Sequence, residues 1–114
     1  MGYYSAIALA IHKEDEHQLV KRVGNLNEDI LLKVCALIHD ADKSTSRKNQ
    51  DYVVFYWNYL KWYEKCFPEV DFIMSFMKTL KHPHDFIRIG EDFYDTYIYN
   101  EAQIIEVHRI ISIN

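Results

Sequence analysis

Residues 3–11, YYSAIALAI, alternate Tyr3, Ser5, Ile7, Leu9 and Ile11 with Tyr4, Ala6, Ala8 and Ala10. Both faces of that alternation are largely apolar, which predicts a strand covered on both sides. The period then changes. KEDEHQLVKRVG carries three acids in its first turn, Leu19, Val20 and Val23 on one stripe and Gly24 at its end, helix signals at both termini. Asn27 is a good N-cap for a second helix, with Glu28 and Asp29 behind it and Ile30, Leu31, Val34, Leu37 and Ile38 at helical spacing. The polar run DKSTSRKNQD after it reads as a surface loop.

YVVFYWNYLKWY, residues 52–63, holds seven aromatic side chains in twelve positions. An aromatic and β-branched run that is apolar on both faces predicts a central strand, and most of its rings are expected in the core. The run is longer than an average strand, so its end is expected to project. That places Trp62 and Tyr63, beside Lys61 and Lys65, at the surface as candidate contact residues. PEVDFIMSFMKTLKHP follows as a helix, with Pro68 at its first position, Glu69 and Asp71 near its positive end, and Phe72, Ile73, Phe76, Met77 and Leu80 on its buried stripe. DFIRIGE and TYIYN are short strands, and IIEVHRIISIN is a last one with Ile105, Val107, Ile111 and Ile113 on one face.

The chain is therefore expected to be a single α+β domain spanning residues 1–114. Its order is β-α-α-β-α-β-β-β, a mixed β-sheet with helices packed against it. The β-α-β unit from Tyr52 to Gly90 is expected to be parallel and right-handed.

Composition adds bounds. A chain of 114 residues, 49% hydrophobic and 26% charged, can bury one real core and is too short for two domains. No apolar run approaches the roughly 18 residues a membrane helix requires. The opening MGYYSAIALAIHKEDE lacks the basic start of a signal peptide, and Ala6 stands where a myristoylation site wants Ser or Thr. No membrane contact is expected, and the location expected is cytoplasmic. Cys35 and Cys66 lie among apolar neighbours and are expected to be buried free thiols.

Charge is uneven under the net −4. From Asp85 to Glu106 there are six acids against Arg88 alone, while bases gather in KSTSRK, residues 43–48. Nucleic-acid binding neutralises phosphates with a basic face, so the acidic C-terminal third argues against it, including single-strand binding on the rings of Tyr52 to Tyr63. The same acidity suits a partner protein with a basic surface.

Four constellations bear on chemistry. His39, Asp40 and Asp42 in HDAD offer adjacent metal ligands of the kind HD-type phosphohydrolases use, but that chemistry draws further ligands from a mainly helical fold. His12 or His17 are the available upstream histidines; the plainer reading of His39 is a helix C-terminus. His82, His84 and Asp85 in HPHD resemble the start of an HxHxDH metal motif, although Asp85 follows His84 directly and no second His comes after it. A metal-dependent phosphoester or nucleotide hydrolase built on His39, Asp40, His82 and His84 is thus the alternative reading. Ser5, Ser75 and the cysteines have no G-x-S-x-G elbow, and three glycines build no phosphate cradle. No catalytic residue and no cofactor are assigned. The fourth stretch, RIGEDFYDTYIYNE, sets Glu91, Asp92 and Asp95 among Tyr94, Tyr97 and Tyr99. It lacks an EF-hand spacing and reads as a solvated hairpin, or as an acidic patch for a basic protein.

YYSAIALAI, DYVVFYWNYLKWY followed by PEVDFIMSFMKTL, and FIRIGEDFYD together resemble a group of small uncharacterised proteins of tailed bacteriophages and prophages. There a YS…ALA start, a KWY…PEV…FI middle and an IRIGED-Y-D end recur in that order. The resemblance covers residues 3 to 95 and carries over no catalytic residue. It implies phage origin, the bacterial host cytoplasm, and stoichiometric binding to a host or antiviral-defence protein. The contact residues expected for such binding come from the acidic hairpin and the aromatic run: Glu91, Asp92, Tyr94 and Asp95, with Trp62 and Tyr63. A homodimer is also conceivable, with the C-terminal IIEVHRIISIN at a sheet edge offering unpaired backbone to a second copy.

Overall fold

The structure is a computed structural model that describes residues 4–92, 95–107 and 111–113. Its elements run β1 (Ser5–His12), α1 (Lys13–Gly24), α2 (Glu28–Asp40), β2 (Asp42–Thr45), β3 (Tyr52–Leu60), α3 (Pro68–Met77), β4 (Asp85–Gly90), β5 (Thr96–Asn100), β6 (Ile105–Val107) and β7 (Ile111–Ile113). The α+β expectation is met. Five strands form one sheet in the order β2-β3-β1-β4-β5, and β6 and β7 pair separately.

Every neighbouring pair in the main sheet is antiparallel, so the sheet is not mixed. The first strand explains why. β1 takes the centre, with β3 on one side and β4 on the other, each antiparallel to it. The strands flanking α3 therefore point the same way, as expected of a β-α-β unit, but they are separated by β1 instead of hydrogen-bonded to each other.

Alternation along β1 separates two cores. Ile7, Leu9 and Ile11 join Val53, Phe55, Trp57 and Phe86 against the buried stripes of all three helices. Ala8 and Ala10 point to the opposite face with Tyr52, Val54 and Ile87. Their small side chains leave room for Ile104 and Ile105, which cover this face. Each large aliphatic side chain so buried contributes about 1.5–3 kcal/mol.

Helix termini follow local chemistry. Asn27 Oδ1 accepts the Ile30 N–H at 3.0 Å, and His12 Nδ1 accepts the Glu14 N–H at 3.1 Å, so each helix of the α1–α2 pair has a side-chain N-cap. Two buried carboxylates fix the connections. Asp15 in α1 accepts the N–H groups of Lys81 and His82 at 3.2 and 3.1 Å. Asp85 is fully buried and accepts four successive N–H groups, those of Ala102, Gln103, Ile104 and Ile105, at 2.6–3.1 Å. Asn100 is satisfied only with its amide nitrogen turned to this carboxylate, 2.9 Å from both oxygens.

Four expectations are corrected. Residues 42–45 are an edge strand paired with β3, not loop; their polar side chains all face solvent and carry no apolar alternation. Trp62 is not a surface ring. The chain turns back after Leu60, and Trp62 is buried against Trp57 and Phe86 at 6.0 and 5.8 Å between ring centroids. Cys35 and Cys66 are exposed, because Cys35 falls one position off the Val34 stripe of α2 and Cys66 lies in the turn before α3. Finally, the C-terminal segment is two short strands in antiparallel register, Ile105 opposite Ile113, instead of one. No described helix is long and apolar enough to cross a membrane.

Candidate functional site

β5 forms one edge of the main sheet, and among the described residues it pairs with β4 alone. All five of its residues are exposed, and Tyr97, Ile98 and Tyr99 are among the exposed large hydrophobic side chains. Alternation sends Tyr97 and Tyr99 toward the helical side. Tyr97 meets Phe86 at 5.9 Å, and Tyr99 stacks on His84 at 4.6 Å. Between these rings and α3 lies a cleft of about 360 Å³, with Met74, Met77 and Leu80 on the helical side and Glu101 among its polar groups.

The loop joining β4 to β5 is built by its own acids. Arg88 Nη1 donates to both oxygens of Asp95, at 3.0 and 3.1 Å. The Gly90 N–H donates to the Asp95 carbonyl at 2.8 Å, and the Asp95 N–H to the Asp92 carbonyl at 2.9 Å. Glu91 Oε1 accepts the Tyr4 N–H at 2.7 Å, which ties the loop to the start of β1. Asp95 thus pairs with a cation, whereas Glu91 accepts from a neutral backbone donor. Glu91 and Asp92 are exposed at one end of β5 and Glu101 at the other. Tyr94 lies outside the described residues.

Two ionisations at this edge are displaced. The Tyr99 hydroxyl donates to Glu101 Oε2 at 2.9 Å, and that hydrogen bond holds the phenol's pKa above its ordinary value. Burial lowers the pKa of His84, against the opposing charges of Glu101, Asp85 and Asp15.

The other sequence candidates disperse. Tyr63 is half-buried and stacks on Phe67 at 5.6 Å; Trp62 belongs to the core. His39 and Asp40 are exposed at the end of α2, 3.9 Å apart. They line clefts separate from the one that His82 and His84 share. Among the described residues, His39, Asp40, His82 and His84 do not assemble into one ligand set. His82 turns instead to α1, where its Nε2 lies 3.1 Å from Glu14 Oε2 and its ring stacks on His12 at 3.9 Å. Glu14 was not anticipated, and His12 only as a possible ligand beside His39. The one available signal was a histidine at a helix N-cap position followed at once by acids.

A scan against protein-family models and searches of curated proteins and of solved structures return no match.

Proposed function

We propose that this protein works as a stoichiometric binder that captures a basic protein surface along β5. The observation that carries this reading is the open, fully exposed β5 edge, with Tyr97, Ile98 and Tyr99 set between Glu91 and Asp92 at one end and Glu101 at the other. An added partner strand would complete backbone hydrogen bonds, each worth about 0.5–1.5 kcal/mol net. A five-residue edge supplies few of them. Affinity and choice of partner then rest on the tyrosines as anchors and on the acids, which speed encounter and reject acidic surfaces.

Charge also argues against a second copy as the occupant. Antiparallel pairing of β5 with itself would bring Glu91 and Asp92 of one chain beside Glu101 of the other. A partner with Lys or Arg flanking an extended segment avoids that repulsion. The resemblance to phage and prophage proteins supports seeking this partner in the bacterial cytoplasm, as a host or defence protein. A hydrolase would need His39 and Asp40 beside His82 and His84, and the two pairs line separate clefts.

The test is affinity capture from nuclease-treated bacterial lysate with the wild type, Ile98→Lys and Asp92→Lys, each checked for folding by circular dichroism. One host protein held in near-equal amount by the wild type and lost by both folded variants is the expected result. Capture that persists in both variants would remove β5 and its acidic end from the interface.

A further inference from the structure

Three donors from separate parts of the chain meet where β1 runs into α1. His12 ends β1, Glu14 sits in the first turn of α1, and His82 lies in the connection between α3 and β4. One ligand atom of each lies within 4.8 Å of the other two. The geometry points to a binding site for a divalent transition-metal ion, zinc foremost, held by His12, Glu14 and His82. This site is independent of the β5 interface.

Two imidazoles and one carboxylate form a donor set with which proteins hold zinc while leaving a coordination position open. Bonds of about 2.0–2.2 Å place tetrahedral ligands roughly 3.4 Å from each other. The side chains must therefore close by about 1.4 Å at most, starting from the 4.8 Å limit. All three can move, since His12 and His82 are only partly buried and Glu14 is exposed. The backbone beneath them is fixed. Asp15, buried one residue after Glu14, holds the N–H groups of Lys81 and His82. The Tyr52 hydroxyl donates to the Pro83 carbonyl at 2.7 Å, and its ring meets His12 edge-on at 5.4 Å. His82 also lines the cleft beside β5, so the ion stands at that cleft's margin.

The helix cap on His12 sets a cost on binding. His12 Nδ1 accepts the Glu14 N–H, so the neutral ring carries its proton on Nε2. An ion at Nε2 forces that proton to Nδ1, where it opposes the Glu14 N–H; an ion at Nδ1 displaces the N–H directly. Either way ion and helix cap compete for His12, which lowers affinity by about tenfold. The stacked rings, 16° from parallel, must also turn so that both lone pairs converge on one ion. Micromolar affinity is the expected level.

The experiment uses tag-free, chelator-stripped full chain titrated with Zn²⁺ by calorimetry and with Co²⁺ by visible absorption. One ion per chain is expected. His12→Asn replaces the imidazole with a good N-cap, and it should keep the thermal midpoint while weakening binding by at least about tenfold. His82→Gln should weaken it equally, and His39→Gln should change nothing. On the wild type, Zn²⁺ should shift the ring resonances of His12 and His82 and leave those of His17, His39 and His84 in place, a readout that does not depend on any variant folding. Absence of saturable binding, binding unchanged in His12→Asn or His82→Gln, or loss confined to His39→Gln would each overturn the assignment.

Discussion

Asp85 Oδ2 accepts the Ile104 N–H at 2.6 Å, so the first residue of β4 grips the segment whose isoleucines cover the non-helical face of the sheet. Because the same carboxylate also takes three neighbouring N–H groups, its loss would leave several buried donors unpaired at once. Asp85→Ala is expected to cost about 3 kcal/mol or more. Urea denaturation reads the cost, and hydrogen exchange should quicken first at residues 102–105. A loss below 1 kcal/mol would mean that water replaces the carboxylate.

Trp62 belongs to the core, and its buried indole N–H has no partner among the described residues. Trp62→Phe removes that unpaired donor but leaves part of the indole's space unfilled, so it is expected to cost about 1.5 kcal/mol. Trp57→Phe removes an N–H that donates to the Leu37 carbonyl at 2.8 Å and leaves that carbonyl unpaired. It should cost more, about 2 kcal/mol. Parallel denaturation curves decide, and the reverse ranking would contradict the packing described. Capture of a partner should be unchanged by Trp62→Phe.

The two acids of the β4–β5 loop should separate experimentally. Asp95→Lys places two cations together where Arg88 had a partner, and stability should fall by about 1 kcal/mol. Asp92→Lys should lower partner capture. Thermal melts of both variants, run beside the capture experiment, separate a loss of capture in a folded chain from a loss of the fold. Capture unchanged in a folded Asp92→Lys chain would remove that acid from the interface.

Alkaline pH should weaken the fold. Burial, with the charge of Asp42 behind it, raises the pKa of Tyr56, and the hydrogen bond to Glu101 raises that of Tyr99. A phenol whose pKa is higher in the folded chain ionises first in the unfolded one. The unfolded state then binds fewer protons, and stability falls as pH rises above the ordinary value of 10.0. Burial raises the Tyr52 phenol as well, so absorbance titration at 295 nm should show late phenols from Tyr52, Tyr56 and Tyr99, one of them lost in each of Tyr52→Phe, Tyr56→Phe and Tyr99→Phe.

Self-association should be weak, because β5 paired with itself opposes like charges. Light scattering at micromolar concentration is expected to give a monomer. Replacing Glu91, Asp92 and Glu101 by their amides should raise any dimer fraction. A salt-insensitive wild-type dimer would show that another edge or the C-terminal strands carry the contact.

Much of this architecture was legible because hydrophobic period is a strong local signal. The two-sided apolarity of β1, the Asn27 cap and the aromatic run of β3 are each complete within a dozen residues. What escaped depends on contacts far apart in sequence. Nothing near Trp62 announces that the chain doubles back, although Lys65 adopts a φ of 66° in that turn. Polar β2 exists as a strand because β3 offers it a ladder. Buried Asp15 and Asp85 read as ordinary surface acids until the N–H groups they hold are found, from 66 to 67 and from 17 to 20 residues away. The approach of His82 to Glu14 spans 68 residues, so pattern within either segment could not reveal it.

The central position of β1 has a consequence during synthesis. Ser5 pairs with Leu60 on one side and Gly90 on the other, so β1 is enclosed on both sides only once β4 has been made. Until β4 leaves the ribosome, one edge of β1 stays unsatisfied, and Ile7, Leu9 and Ile11 lack the cover that Phe86 and its neighbours supply. A nascent chain with an apolar strand open for that long is a natural client for chaperones. Translation halted anywhere between Leu60 and Gly90 should release an aggregation-prone fragment instead of a smaller folded protein.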